Sequence, residues 1–182
     1  MRKRLITFLI IFLIILVGII AFFFMRSQRT VPTPTGLPTS GASYKSLTPG
    51  VSSKEDAIKL LGTPLNSPSS DTLDFKSNNP NLPNQVVTSN NKISLIKEIV
   101  TVSDRKTTTD ITSQYGTAPN VLYGPASTNG FNLYVYPDKG IAYLGHVKEP
   151  IVLEIWYFQL TTLKNFISEW APNYSETPHP IQ

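Results

Sequence analysis

Hydrophobic positions follow three different patterns along the chain. From Leu5 to Met25 they form an uncharged run of 21 residues. A helix needs ~20 apolar residues to cross a bilayer, so the run predicts a transmembrane helix over 5–25 within an anchor over 1–29. It ends in bulky Phe22, Phe23, Phe24 and Met25, where a signal-peptide cleavage site would need small residues, so the helix reads as an uncleaved signal-anchor. Arg2, Lys3 and Arg4 precede it and Arg26 and Arg29 follow it. That bias predicts a single-pass protein of the cell membrane, with a cytoplasmic N-terminus and an extracytoplasmic domain. From Thr30 to Gly50 apolar residues almost vanish, and Pro32, Pro34, Pro38 and Pro49 punctuate Thr, Ser and Gly. Such a composition predicts an extended linker over 30–50.

Past residue 50 the apolar spacing alternates between helical and strand periods. Ser52 or Ser53 can cap a helix with Glu55 and Asp56 in its first turn and Ala57, Ile58 and Leu61 as its apolar stripe. Gly62 and Pro64 stop it. The plan recurs with Asp110, Ile111 and Tyr115 ahead of Gly116 and Pro119. It recurs in part with Thr161 or Thr162 as cap, Leu163, Phe166, Ile167 and Trp170 as stripe, and Pro172. The three prolines lie 55 and 53 residues apart, which points to duplicated supersecondary units. Between them the period falls to two. Phe131, Leu133 and Val135 alternate with Asn132, Tyr134 and Tyr136, then Pro137, Asp138 and Gly140 supply a turn. A third strand follows over 151–159, completing a meander. Shorter strands are expected at 72–76, 85–88 and 93–102, aligned with the second unit at an offset of 56 that matches Glu98 to Glu154 and Ile99 to Ile155.

The expected fold is thus α+β. An N-terminal transmembrane helix precedes two helix-plus-three-strand repeats, which form an antiparallel sheet with helices on one face, plus a C-terminal capping helix. The tandem-repeat domain covers 51–172, with repeat one at 51–103, repeat two at 104–160 and the terminal helix at 161–171. A flexible tail covers 173–182. One unit alone cannot bury both its helix and its sheet face, whereas two can share a core.

The segments 57–64, 111–119 and 135–144, with their helix stops and the turn at Pro137–Gly140, carry a likeness to a known fold. The chain resembles the β-lactamase-inhibitor-protein fold and the related small SmpA/OmlA-type lipoproteins of outer-membrane assembly, over about Leu47 to Gln159. The resemblance implies a protein-binding module that is not an enzyme and binds across its sheet. Those lipoproteins carry an acylated cysteine, and this chain has no cysteine.

Charge narrows the partners. Five of the 16 basic residues flank the apolar run, and the chain beyond Arg29 carries 11 basic against 12 acidic residues. No basic stripe remains for nucleic acid. The absence of cysteine excludes thiol catalysis and cysteine metal sites. His146 and His179 are isolated, Asp71 and Asp74 fall on different faces of a strand, and Asn173-Tyr174-Ser175 is a sequon of a kind common by chance. No metal site or cofactor is expected. The candidate binding site is an aromatic sheet face made of Tyr134, Tyr136, Trp156 and Phe158, because such rings concentrate binding energy. The expected partners are a lipid bilayer, through the N-terminal helix, and another protein. The expected function is a membrane-anchored protein-binding module of the cell envelope. A structural subunit of an envelope complex is the alternative, and an enzyme the remoter one.

Overall fold

Two antiparallel meanders meet edge to edge in the computed structural model, which describes residues 41–178. The first comprises β1 (Thr72–Phe75), β2 (Asn84–Ser89) and β3 (Lys92–Ile99). The second comprises β4 (Asn120–Leu122), β5 (Phe131–Tyr136), β6 (Ile141–His146) and β7 (Val152–Phe158). Helix α1 (Lys54–Leu61) precedes the first, α2 (Thr108–Tyr115) the second, and α3 (Leu163–Trp170) ends the series. The strands form one seven-stranded sheet in the order β1-β2-β3-β7-β6-β5-β4.

Local chemistry explains the helix starts. Ser53 and Thr107 each form a capping box, with Asp56 and Asp110 respectively, and Thr162 accepts a bond from the Asn165 N–H. The first two helices end at Gly62 (φ 94°, ψ −164°) and Gly116 (φ 82°, ψ −173°). This region of backbone space is essentially closed to residues with a Cβ. Beyond Gly62 and Gly116 the chain turns out of the helix toward its strands.

The seam joins β3 to β7, with Lys97 opposite Trp156, Ile96 opposite Tyr157 and Glu98 opposite Ile155. Each last strand carries one extra residue. Val87 and Thr88 oppose Leu95 and Ile93, leaving Ser94 over. Leu144 and Gly145 oppose Glu154 and Val152, leaving Leu153 over. The matching bulges relate the two last strands at an offset of 59, centred on the Lys97–Trp156 pair. A bulge shifts the side-chain alternation that follows it.

Two cores result. On one face Ala57 of α1 and Ile111 of α2 pack with Leu73, Phe75, Ile96, Tyr143 and Ile155. On the other, Phe166 of α3 packs with Leu133, Val135, Ala142, Trp156 and Phe158. Gly41–Gly50, inside the stretch read as linker, joins the first core through buried Tyr44 and Leu47.

The expected fold class needs correction on two points. The second meander has four strands, because Asn120–Leu122 pairs with β5 and is too short to show a period in sequence. Helices α1 and α2 pack on one face, and the C-terminal helix α3 covers the opposite one, where Phe166 meets Leu133, Val135 and Phe158. Finally, no helix among the described residues is long and apolar enough to cross a membrane. Each of α1 to α3 has eight residues, about 12 Å of helix against ~30 Å of hydrocarbon. The expected span over 5–25 lies outside the described residues. The transmembrane and signal-anchor readings therefore lack structural support, as does the single-pass cell-membrane location with an extracytoplasmic domain.

Candidate functional site

The four aromatic residues expected on one face occupy two. Tyr134 and Tyr136 lie on the α1/α2 side, where Tyr134 stacks on Tyr143 at 4.8 Å and the Tyr136 hydroxyl donates to the Gly116 carbonyl at 2.6 Å. Trp156 and Phe158 lie on the α3 side, at 6.1 and 4.7 Å from the Phe166 ring. Tyr136, Trp156 and Phe158 are buried, and only Tyr134 keeps part of its surface. The physical cause is the bulge at Leu153, which moves Trp156 onto the face of Leu133 and Val135.

The α3-side core extends over Leu95 of β3, with Val87 of β2 packed against it, and the rest of that face over β1–β3 is less covered among the described residues. Asp74, Gln85 and Lys97 stand side by side in one row across the sheet, with Trp156 next in line. All three are half-buried, and so are Val87 and Ile99 beside them. Gln85 donates to Asp74 at 3.1 Å. The Lys97 ammonium sits 3.9 Å above the Trp156 ring, and the Trp156 indole donates to Glu154 at 2.7 Å. Burial pushes the lysine below its usual pKa, partly opposed by the Glu154 charge. Trp156 thus lies between the Phe166 ring of α3 and the Lys97 ammonium.

A second constellation lies where β1 ends and β2 begins, in an open cleft of about 390 Å³. Its floor is Glu98, a buried carboxylate on the inner face of β3. Both Glu98 oxygens accept from the Lys106 ammonium, at 2.6 and 2.7 Å, and one also accepts from the Tyr157 hydroxyl at 3.0 Å. Burial, then the Glu98 charge, pushes the Tyr157 hydroxyl far up. Tyr44 lines the wall and accepts from the Asn84 amide at 3.3 Å, while the Asn84 oxygen accepts from the Ile99 N–H. Burial, then Glu98 and Asp104, pushes the Tyr44 hydroxyl up to about 12. Asp104 accepts from the Thr101 N–H and hydroxyl and from the Asn78 amide. Burial pushes its carboxyl up, and those bonds outweigh it and hold the pKa low.

Sequence reasoning missed this cleft. Glu98 had a signal, since Ile96, Glu98 and Val100 alternate and imply a carboxylate facing the core. Tyr44 had none, sitting in a Pro- and Ser-rich stretch. His146 does structural work: its Nδ1 accepts from the Lys148 and Glu149 N–H groups and so closes the β6–β7 turn. Among the described residues no cluster of His, Asp or Glu could hold a metal ion.

Fold and site together define an α+β domain with one antiparallel sheet, a half-covered face and a polar cleft. No protein-family model matches the chain, and no curated protein matches it. Among solved structures it is similar to a DUF4309 family protein, YjgB, from Bacillus subtilis subsp. subtilis strain 168, at 17% identity. The match covers 66% of this chain and 88% of that one, with a TM-score of 0.46. A likeness of that degree carries no information about function.

Proposed function

We propose that the protein is a non-catalytic binding module whose protein partner lies on the open β1–β3 half of the sheet. One observation carries this reading: the α3-side core covers the β5–β7 half of that face and Leu95 of β3, and among the described residues no helix covers the half-buried row Asp74, Gln85 and Lys97 beside it. The row mixes charge and amide with the half-buried Ile99 beside it, a composition suited to a polar, part-apolar protein surface. The chemistry-bearing groups elsewhere support a non-enzymatic role, because Glu98 and His146 are occupied by structural bonds.

Attachment through sheet edges, as in a structural subunit, is less well supported. Asn66 and Leu65 bond the outer side of β1 at Thr72 and Asp74. Ser175 exchanges two bonds with Tyr123 at the β4 edge. A photo-crosslinking side chain placed at Gln85 tests the proposal against one at Ser168, on the exposed side of α3. Adducts from position 85 and none from 168 are expected in cells. Equal labelling at both positions, or labelling at 168 alone, refutes the docking face.

A further inference from the structure

We infer that the cleft over Glu98 binds a small oxyanion, a carboxylate or a phosphate, through the Tyr44 hydroxyl and the Lys45 and Lys76 ammoniums. The inference concerns a different surface from the open sheet half and stands independently of it.

The reason lies in which hydrogen-bonding capacity the fold has already used. Both carboxylates of the cleft are engaged by neighbouring donors: Glu98 by Lys106 and Tyr157, Asp104 by Thr101 and Asn78. They offer little to a cation. The donors are in the opposite condition. Tyr44 is 5% exposed, and its hydroxyl oxygen accepts from Asn84, yet its own proton has no acceptor among the described residues. The hydroxyl is satisfied as an acceptor, and its proton remains to be donated to an acceptor that enters the cleft. Lys45 and Lys76 line the same cleft, are exposed, and make no ion pair among the described residues. Counting Lys45, Lys76 and Lys106 against Glu98 and Asp104, the lining carries one net positive charge.

The fold fixes the backbone positions of these residues, and the Lys45 ammonium lies 5.2 Å from the centre of the Tyr44 ring. The Tyr44–Leu47 turn is closed by two backbone bonds, with Lys45 and Ser46 both at positive φ, 46° and 67°. Non-glycine residues in that region cost on the order of 1 kcal/mol each and persist only where the surroundings hold them. Tyr44 anchors the turn against the Tyr157 ring at 5.6 Å. Lys76 follows directly on β1, and its carbonyl accepts from Asn84, the residue that also reaches Tyr44. A hydroxyl and two ammoniums around one polar cleft match the acceptor-only surface of a carboxylate or phosphate.

Calorimetric titration of the full chain at low ionic strength tests this, with inorganic phosphate and succinate as separate probes and uncharged succinamide as control. The expected result is saturable one-site binding of at least one anion and none of succinamide. The preferred probe tells phosphate from carboxylate. Tyr44→Phe keeps the ring and removes the donor, and Lys76→Gln alters only an exposed side chain. Each is expected to weaken binding about tenfold or more. The inference is overturned if neither anion saturates, or if Lys76→Gln and Tyr44→Phe bind as tightly as the parent chain.

Discussion

Glu98 shows how one side chain can tie two halves of a molecule together. It sits on β3, takes its neutralising cation from Lys106 in the connection to the second half, and accepts the hydroxyl of Tyr157 on β7. The Lys106 side chain is 38% exposed, so water substitutes for much of its share of the pair. Glu98→Ala is expected to cost about 1–3 kcal/mol in urea unfolding, most of it from the stranded Tyr157 hydroxyl. The tyrosines predict a pH dependence as well. Burial raises Tyr44 from 10.0 to about 12, and raises Tyr143 and Tyr157 further. The unfolded chain releases these protons first, so stability is complete below pH about 10 and falls as pH rises toward 12. Urea midpoints measured across that window should decline, and Tyr44→Phe should make the decline shallower.

At the level of elements, the two halves solve the same problem with the same chemistry. Each first helix opens on a capping box and closes on a glycine with φ near 90° and ψ near 180°. An added Cβ at Gly62 or Gly116 would meet nothing within 4 Å, so the obstacle there is purely the backbone conformation. Gly62→Ala and Gly116→Ala are each expected to cost ~1–3 kcal/mol, measured by thermal or urea unfolding. Space elsewhere is no guide to these positions. The caps give a milder test, with Ser53→Ala and Thr107→Ala each losing about 1 kcal/mol. Asp56 and Asp110 are held below the usual carboxylate range, Asp56 first by the Ser53 N–H and Asp110 first by the Thr107 hydroxyl. Their contribution is present above the unfolded value of 3.8 and is lost as pH falls through the lower folded values.

For the molecule as a whole, the β3–β7 seam makes the sheet one object, because the first core draws residues from both meanders. Residues 41–107 and 108–178 expressed separately are each expected to lack cooperative unfolding by circular dichroism, whereas the intact chain unfolds in one step. Removal of α3 bares Leu133, Val135, Trp156 and Phe158, and Phe166→Ala alone should cost about 3–5 kcal/mol. The sequence by itself determined the helix starts and stops, the β5–β6 hairpin and the recurrence of a helix before a meander. Those features rest on local rules of capping, turn conformation and apolar period, which act within a few residues. Only tertiary structure decided which face each ring of β7 occupies. The bulge at Leu153 arises from pairing with β6, and a single extra residue exchanges the two faces of the strand beyond it. Tertiary structure likewise decided the side on which α3 docks and the seating of Tyr44 beside Asn84 and Tyr157. Contacts between residues 40 or more apart have no local signature, because the free energy that selects them comes from burying surfaces the chain brings together only on folding.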